Sequence, residues 1–205
     1  MQEKASIREQ IIARRDAAPA EVRIAWSRSI CQTIIALPQY ISAKVIHCFL
    51  SIGSEVDTQF IVQHALLHGK RVAIPHFLRN RDETPSLEIH TLDSAAFAIS
   101  GFGLRVPHVK TAIAPEAIDI VFVPLVAFTT KSILRCIEDT PKRSIIDTTY
   151  HRIGYGAGYY DRFLARLRPS VPCIGLAFEL QRVVDFNIES HDVPLDLVIS
   201  EQLRK

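Results

Sequence analysis

The chain lacks the features that mark membrane, secreted and nucleic-acid-binding proteins. No apolar run approaches the roughly 20 residues that cross a bilayer. The first ten residues are polar and charged, which does not predict a secretion signal. The formal net charge is only +2 and the basic residues are scattered, so neither nucleic acid nor an anionic membrane is an expected partner. We expect a cytoplasmic protein that acts as a monomer.

Cysteine is scarce as well. The four thiols, Cys31, Cys48, Cys136 and Cys173, stand far apart without a CxxC pair. This spacing favours free thiols in a reducing compartment over disulfides or zinc. No repeat, low-complexity tract or linker divides the 205 residues, and a chain of this length buries about 70% of its unfolded surface on folding. Residues 1–205 are therefore expected to form a single domain.

Only eight glycines occur, yet three of them, Gly154, Gly156 and Gly158, lie within five positions. Glycine lets main-chain N–H groups approach an anion with no Cβ in the way. Arg152 precedes this loop, and a helix is predicted to begin near Asp161, where its first N–H groups also favour an anion. A carboxylate there suits Mg²⁺ bound to phosphates. The loop indicates a nucleotide site, although an ordinary turn has a similar composition.

The loop matches neither of the commonest phosphate-binding sequences. It lacks the Gly-Lys-Ser or Gly-Lys-Thr ending of a P-loop. No strand is predicted to run directly into it, as one does in a dinucleotide-binding turn. The loop by itself therefore does not identify the class of nucleotide site.

Apolar residues elsewhere alternate between helical and extended spacing, which predicts an α/β domain with a mainly parallel sheet and helices on both faces. His47, in the first strand, is predicted to be a hydrogen-bonded core residue, and His191–Asp192 a structural turn. Glu55 follows that strand, where α/β sheets bind ligands, although an exposed acid near a helix start is equally consistent. Helices are expected at 3–17, 19–36, up to 67 and at 160–167, and strands at 45–50, 71–75, 87–92, 118–128, 172–178 and within 191–201.

Four sequence features resemble one known family. The string at 154–162, Gly-Tyr-Gly-Ala-Gly-Tyr-Tyr-Asp-Arg, closely resembles the signature of the 5-formyltetrahydrofolate cyclo-ligases (methenyltetrahydrofolate synthetases), with alanine where glycine is commoner. Lys4 and Arg8 emerge on the same side of the first helix; such a pair is by itself more typical of a solvated face, but it matches a family pair. The Glu-x-Asp-Thr turn at Glu55 and the apolar strand at 118–128 match as well.

The resemblance covers nearly the whole chain and implies a three-layer Rossmann-like fold. It also implies ATP- and Mg²⁺-dependent cyclisation of 5-formyltetrahydrofolate to 5,10-methenyltetrahydrofolate, with release of ADP and phosphate. No nucleophile or base is assigned. Asp161 would hold the metal, and Leu50, Glu55, Tyr159 and Tyr160 would bind the folate. The ATP-binding residues implied by the resemblance are Lys4, Arg8, Arg152, Ile153, Gly154, Tyr155, Gly156, Ala157, Gly158, Tyr159 and Tyr160.

The chain departs from the family pattern at two places. Residues 132–150 read as an extra, polar surface loop inserted beside the nucleotide site. Val106 stands where relatives often carry an acid, so it is given no role. Two alternative functions stay open. Because of the insertion, the chain could be a non-catalytic folate- or nucleotide-binding protein. It could also be another α/β enzyme, acting on a sugar phosphate or a coenzyme A thioester, because fold alone does not name function.

Overall fold

A six-stranded sheet organises the residues that the computed structural model describes, which are 3–78, 86–91, 97–99, 105–107, 112–136 and 144–202. The α-helices are α1 (Lys4–Ala17), α2 (Ala20–Ile35), α3 (Pro38–Ser42), α4 (Gln59–Leu67) and α5 (Tyr159–Leu164). The strands are β1 (Val45–His47), β2 (Arg71–Leu78), β3 (Ser86–Thr91), β4 (Phe97–Ile99), β5 (Arg105–Pro107), β6 (Ile120–Pro124), β7 (Ala127–Cys136), β8 (Ser144–Ile153), β9 (Cys173–Leu176) and β10 (Leu197–Ile199). Short 3₁₀ turns lie at Pro115–Ala117 and Glu179–Gln181.

The strand order of the main sheet is β10-β9-β6-β1-β2-β3. Four of its pairings are parallel, and β3 runs antiparallel to β2 at one edge. The predicted mainly parallel sheet is therefore confirmed. The chain moves outwards from β1 on both sides, to β2 on one and to β6 on the other. Such a reversal opens a crevice at the carboxyl ends of the two central strands, where α/β sheets bind ligands.

Helices cover both faces of this sheet, as predicted. Successive residues of β6 point to opposite layers, because side chains alternate along a strand. Ile120 and Phe122 pack in the core cluster that includes α2, α3 and α4. Val121 and Val123 pack in the cluster that includes α5. All four are completely buried, so the burial of β6 on both faces explains its continuous apolar sequence.

Helix α1 packs beside the base of the β7–β8 pair. Its Ile7 and Ile11 are buried in a third cluster with Val126, Ile153 and Phe186. The two isoleucines are four residues apart and so lie on one face of the helix. Their burial fixes the rotation of α1, which determines where its charged side chains emerge.

The β7–β8 hairpin corrects three sequence-based predictions. The apolar run at 118–128 is not one strand, because it breaks after Pro124 and β7 begins at Ala127. Strand β8 runs directly into the glycine loop, where no strand was expected. Within 132–150, the described residues are paired strand rather than an irregular loop, with the register Ala127↔Ile153 through Cys136↔Ser144. Residues 137–143 lie outside the described residues.

Strand β1 is shorter than predicted, since it ends at His47, although the Cys48 amide still donates a 2.9 Å hydrogen bond to the carbonyl oxygen of Ala73 in β2. His47 is fully buried, as expected of a core residue. The expectation that it is hydrogen-bonded is not met, because neither ring nitrogen has a partner of normal geometry in the described part of the chain. Burial lowers the pKa of His47 to about 3, so the ring is neutral at physiological pH.

The remaining predictions concern thiols and outlying segments. Cys31, Cys48 and Cys173 are free, as expected, and burial raises the pKa of Cys31 to about 11. Three predicted positions lie outside what the structure describes. They are Leu92, at the end of the strand expected at 87–92, and the side chains of Val106 and Cys136. Within the described ranges, no helix is both long and apolar enough to cross a membrane.

Candidate active site at the glycine loop

The glycine loop joins β8 to α5 through backbone conformations that favour glycine. Gly156 has φ of 101° and Gly158 has φ of 63°, values that L side chains seldom adopt. Gly158 is the N-cap of α5. The loop therefore depends on glycine at two of its three glycine positions, as the sequence suggested.

Two cations of α1 lie against this loop or beside it. Arg8 Nε donates a 2.7 Å hydrogen bond to the carbonyl oxygen of Gly154. Lys4 Nζ lies 2.7 Å from Asp192 Oδ2 and 3.7 Å from Glu189 Oε1. The shared helix face predicted for Lys4 and Arg8 thus points towards the loop rather than only into solvent.

Arg152 is buried beneath the loop and paired with Asp161. Both terminal nitrogens of Arg152 donate to Asp161 Oδ1 at 3.0 Å. The Val193 amide also donates to that oxygen, at 3.2 Å. In the described part of the chain, every hydrogen bond to the Asp161 carboxylate therefore ends on Oδ1. This arrangement leaves Oδ2 for another ligand.

Glu55 reaches the same site from the carboxyl end of β1. Its Oε1 accepts a 2.6 Å hydrogen bond from the Tyr155 hydroxyl, and its Oε2 accepts one of 2.9 Å from the Ile52 amide. Glu55 is 9% exposed. Burial raises its pKa, while the two hydrogen bonds and the charge of Arg15 oppose that rise. Sequence reasoning placed Glu55 and Tyr155 in different subsites, but the fold brings them into contact.

A cavity of about 360 Å³ opens beside Glu55 between α2 and α4. Leu50, predicted to line the folate site, lies on its wall with Glu55 and Arg23. Two of the four residues predicted to bind folate, Leu50 and Glu55, therefore share one cavity, and Tyr159 and Tyr160 are not among the residues that line it.

The two tyrosines that open α5 differ in environment. Tyr160 has a buried hydroxyl with no hydrogen-bond partner among the described residues, and its ring centroid lies 5.8 Å from that of His47. Tyr159 is half-buried, with the Arg162 guanidinium 5.5 Å from its ring centroid. Tyr160 is thus the more enclosed of the pair.

Buried polar atoms without partners gather around the loop. Leaving such an atom unpaired costs about 1–3 kcal/mol, so each one calls for a ligand, a water molecule or a strain account. In the described ranges these atoms belong to residues on either side of the glycine loop, or to residues that contact the loop or its flanks. They are Arg15 Nη1, both ring nitrogens of His47, His151 Nδ1, Arg152 Nε and the Tyr160 hydroxyl. Their concentration marks this region as the candidate site.

Sequence reasoning missed Arg15 and misjudged the reach of Asp192. Arg15 is 3% exposed and donates to the Tyr155 hydroxyl at 2.9 Å. It follows Arg8 by seven residues, about two helical turns, so the periodicity of α1 contained the signal. Asp192 does lie in a structural turn, since its amide donates to Glu189 O at 3.0 Å. Its contact with Lys4 spans 188 positions, and no local pattern predicts it.

Fold and site together define a three-layer α/β protein with a candidate ligand site at the carboxyl ends of its central strands. The model of the 5-formyltetrahydrofolate cyclo-ligase family matches residues 1–136 and 145–201. The chain belongs to this family of enzymes, as the motif at 154–162 predicted. The one internal gap in this match, residues 137–144, falls inside the predicted insertion at 132–150, whose bounds stay a prediction.

Individual relatives agree with this assignment. The mouse 5-formyltetrahydrofolate cyclo-ligase is 28% identical over 97% of this chain and 93% of its own length. The Haemophilus influenzae protein of the same name is 28% identical over 82% of this chain and 81% of its own. A solved 5,10-methenyltetrahydrofolate synthetase from Mycoplasma pneumoniae has a TM-score of 0.71 at 26% identity, covering 98% of this chain and 100% of that one. The Aquifex aeolicus synthetase has the same fold, with a TM-score of 0.75 at 22% identity and coverage of 97% and 90%.

The raised pKa of Glu55 predicts a pH-dependent stability. Because the folded state favours protonated Glu55, its stabilising contribution is present below the ordinary carboxyl pKa and is lost as pH rises through the folded pKa. We expect the free energy of unfolding of the wild type to fall relative to Glu55→Gln across that window. The difference is about 1.4 kcal/mol for each unit of pKa shift. Urea unfolding at several pH values measures it, and parallel curves for the two proteins would contradict it.

Proposed function

We propose that this protein uses ATP and Mg²⁺ to cyclise 5-formyltetrahydrofolate to 5,10-methenyltetrahydrofolate, releasing ADP and phosphate. One observation supports it most: the α1 cations, the glycine loop and Glu55 meet at the carboxyl end of the sheet, joined by the contacts Arg8–Gly154 and Tyr155–Glu55. A triphosphate and a folate can therefore occupy neighbouring positions. We further propose that it acts as a monomer in the cytoplasm.

Triphosphate binding is assigned to the loop and to α1. Loop amides from Gly154 to Gly158 would donate to phosphate oxygens, because glycine leaves them accessible. Arg8 already contacts the loop, and its guanidinium suits bidentate phosphate contact. Lys4 would move from Asp192 to the phosphates or share the two. Arg152 would contribute positive charge from beneath, although its terminal nitrogens are held by Asp161.

The donor set also fits Mg²⁺. Asp161 is held rigidly through Oδ1 by Arg152 and the Val193 amide, while Oδ2 accepts no hydrogen bond from the described residues. Mg²⁺ commonly takes one or two carboxylates together with phosphate oxygens. When bound, the ion neutralises phosphate charge during phosphoryl transfer. The protein's share is to hold Asp161 in one orientation.

Folate binding is assigned to Glu55, Leu50 and the α5 tyrosines.

The formamide oxygen of the substrate is a poor leaving group. Transfer of the γ-phosphoryl group from ATP to that oxygen converts it into a good one. N10 then attacks the formyl carbon and loses its proton, and the C–O bond breaks to release phosphate. Positioning and charge neutralisation carry such a reaction, so no nucleophilic side chain is required.

The whole proposal is tested by mixing the protein with ATP, MgCl₂ and 5-formyltetrahydrofolate. We expect folate-dependent ADP release together with the absorbance of the methenyl product. Absence of both would overturn the proposal. Ligand binding without turnover would support a non-catalytic relative, and turnover without ATP would support another enzyme class.

The division of roles predicts separate effects of single substitutions. We expect Lys4→Met and Arg8→Met to raise KM for ATP by about 10- to 100-fold, since each removes a charged contact worth about 1.5–3 kcal/mol. Glu55→Gln should mainly raise KM for the folate. Arg14→Met is the matched control, because Arg14 is an exposed arginine on the same helix. An ATP effect of Arg14→Met as large as that of Arg8→Met would refute the assignment.

A further inference from the structure

We propose that the Tyr155 hydroxyl, supported by Arg15, couples the two substrate subsites so that each ligand tightens binding of the other. The inference rests on the proposed function and adds positioning roles for Arg15 and for the Tyr155 side chain. Tyr155 is part of the glycine loop by its backbone, yet its side chain crosses to Glu55. A single side chain thus joins the nucleotide loop to Glu55, the carboxylate proposed to bind the folate.

The link is a continuous chain of hydrogen bonds. Arg15 Nη2 donates to the Tyr155 hydroxyl at 2.9 Å, and that hydroxyl donates to Glu55 Oε1 at 2.6 Å. At its other end, Arg15 Nε donates to Ser54 Oγ at 2.9 Å, and Ser54 donates to Asp16. Four side chains of α1 and of the turn after β1 therefore hold one tyrosine of the loop.

The chemistry of each group suits this order of donors and acceptors. Burial, and next the charge of Glu55, raise the pKa of Tyr155 to about 12, so the phenol keeps its proton for Glu55. Arginine has donors only, so Tyr155 must accept from it. The Arg15 guanidinium also lies 6.0 Å from the centroid of the Tyr155 ring. Arg15 therefore only donates, Tyr155 accepts from Arg15 and donates to Glu55, and Glu55 accepts.

Arg15 has a buried hydrogen-bond donor that could bind a ligand. It is 3% exposed, and its Nη1 is buried without a partner among the described residues. Tyr155, which lies between Arg15 and Glu55 in the link, is 53% exposed, so ligands on either side can reach the network.

Coupling follows because both ligands need the same network to be ordered. A triphosphate on the loop amides restricts the backbone of Tyr155, which holds Glu55 in place for the folate. A folate on Glu55 restricts Tyr155 and hence the loop. Whichever ligand binds first meets the ordering cost, so the second binds more tightly. The effect must be reciprocal, since coupling free energies between two sites are symmetric.

The test measures a coupling factor, the dissociation constant of 5-formyltetrahydrofolate alone divided by that at saturating Mg²⁺ and the non-hydrolysable β,γ-methylene analogue of ATP. Isothermal titration gives both values. We expect a factor of about 5 or more for the wild type, the lower bound of typical coupling. Tyr155→Phe removes only the hydroxyl and should reduce the factor to about 1. Arg15→Met should lower it too, and Arg15→Lys should restore part of it.

Arg14→Met is the control and should keep the wild-type factor. A Tyr155→Phe factor equal to that of the folded wild type would overturn the inference. So would a wild-type factor of 1 with both ligands bound. If the wild type binds neither ligand, the proposed function itself fails, and that outcome is distinct from the other two. Tyr155 is half exposed, so Tyr155→Phe keeps the test valid even if Arg15→Met does not fold.

Discussion

Replacing Gly156 with alanine is expected to lower kcat/KM for ATP by about 100-fold or more, the size of loss that a small misplacement at an active site produces. The φ of Gly156 is 101°, and holding a non-glycine residue in such a region costs about 1–3 kcal/mol. The loop would relax to avoid this strain, which would turn its amides away from the phosphates. The added Cβ would lie 3.8 Å from the Arg8 guanidinium, an ordinary van der Waals distance, so the strain comes from the backbone and not from a clash. Steady-state kinetics over a range of ATP concentrations measures the loss.

Gly69→Ala is the matched control for this substitution. Gly69 also has a positive φ, 71°, and open space around its Cβ position, but it follows α4 and is remote from the loop. Both variants should lose some stability, and Gly69→Ala should keep its kinetics. If Gly156→Ala retained full activity while losing the same stability, the loop amides would have no part in binding the nucleotide.

Asp161→Asn is expected to reduce ATP-dependent turnover by about 100-fold or more. Loss of a metal carboxylate removes charge stabilisation of several kcal/mol, and about 2.7 kcal/mol already amounts to 100-fold. The same change leaves the buried Arg152 guanidinium without its nearest carboxylate. Removing one partner of a buried pair costs about 3–5 kcal/mol, and we expect a loss below that range because Asp161 is 20% exposed. Turnover at several Mg²⁺ concentrations and urea unfolding measure the two effects.

The double variant Arg152→Met/Asp161→Asn separates metal binding from stability. It removes both charges of the pair, so it should recover part of the lost free energy of unfolding. Turnover should stay low, because the carboxylate is still missing. Recovery of turnover together with stability would show that Asp161 acts only as the counter-charge of Arg152.

Local sequence information was sufficient for the sheet and for most of the loop. The apolar runs at 45–47 and 120–124 became the central strands, because burial on both faces requires continuous apolar sequence. Closely spaced glycines identified the loop, because positive φ selects glycine wherever it occurs. The sequence did not predict that 118–128 would divide between β6 and β7. An apolar run carries no sign of the point at which its pairing partner changes.

The site depended more on tertiary structure. Lys4, Arg8 and Glu55 were found from motifs, but their partners were not. Arg8 contacts Gly154 across 146 positions, and Tyr155 contacts Glu55 across 100. Such pairs leave no local periodicity. The only sequence signal for Arg15 was its position two helical turns after Arg8, which places both arginines on the same face of α1.

The amino-acid order by itself determined the family, the α/β architecture and the glycine loop, because motifs, alternation and glycine conformations are local properties of a chain. Tertiary structure decided that Asp161 is held by Arg152 and that Tyr155 meets Glu55 and Arg15. Those contacts arise from the rotation of α1 and from the position of the β7–β8 pair, which runs into the glycine loop. Both are set by packing between segments distant in sequence.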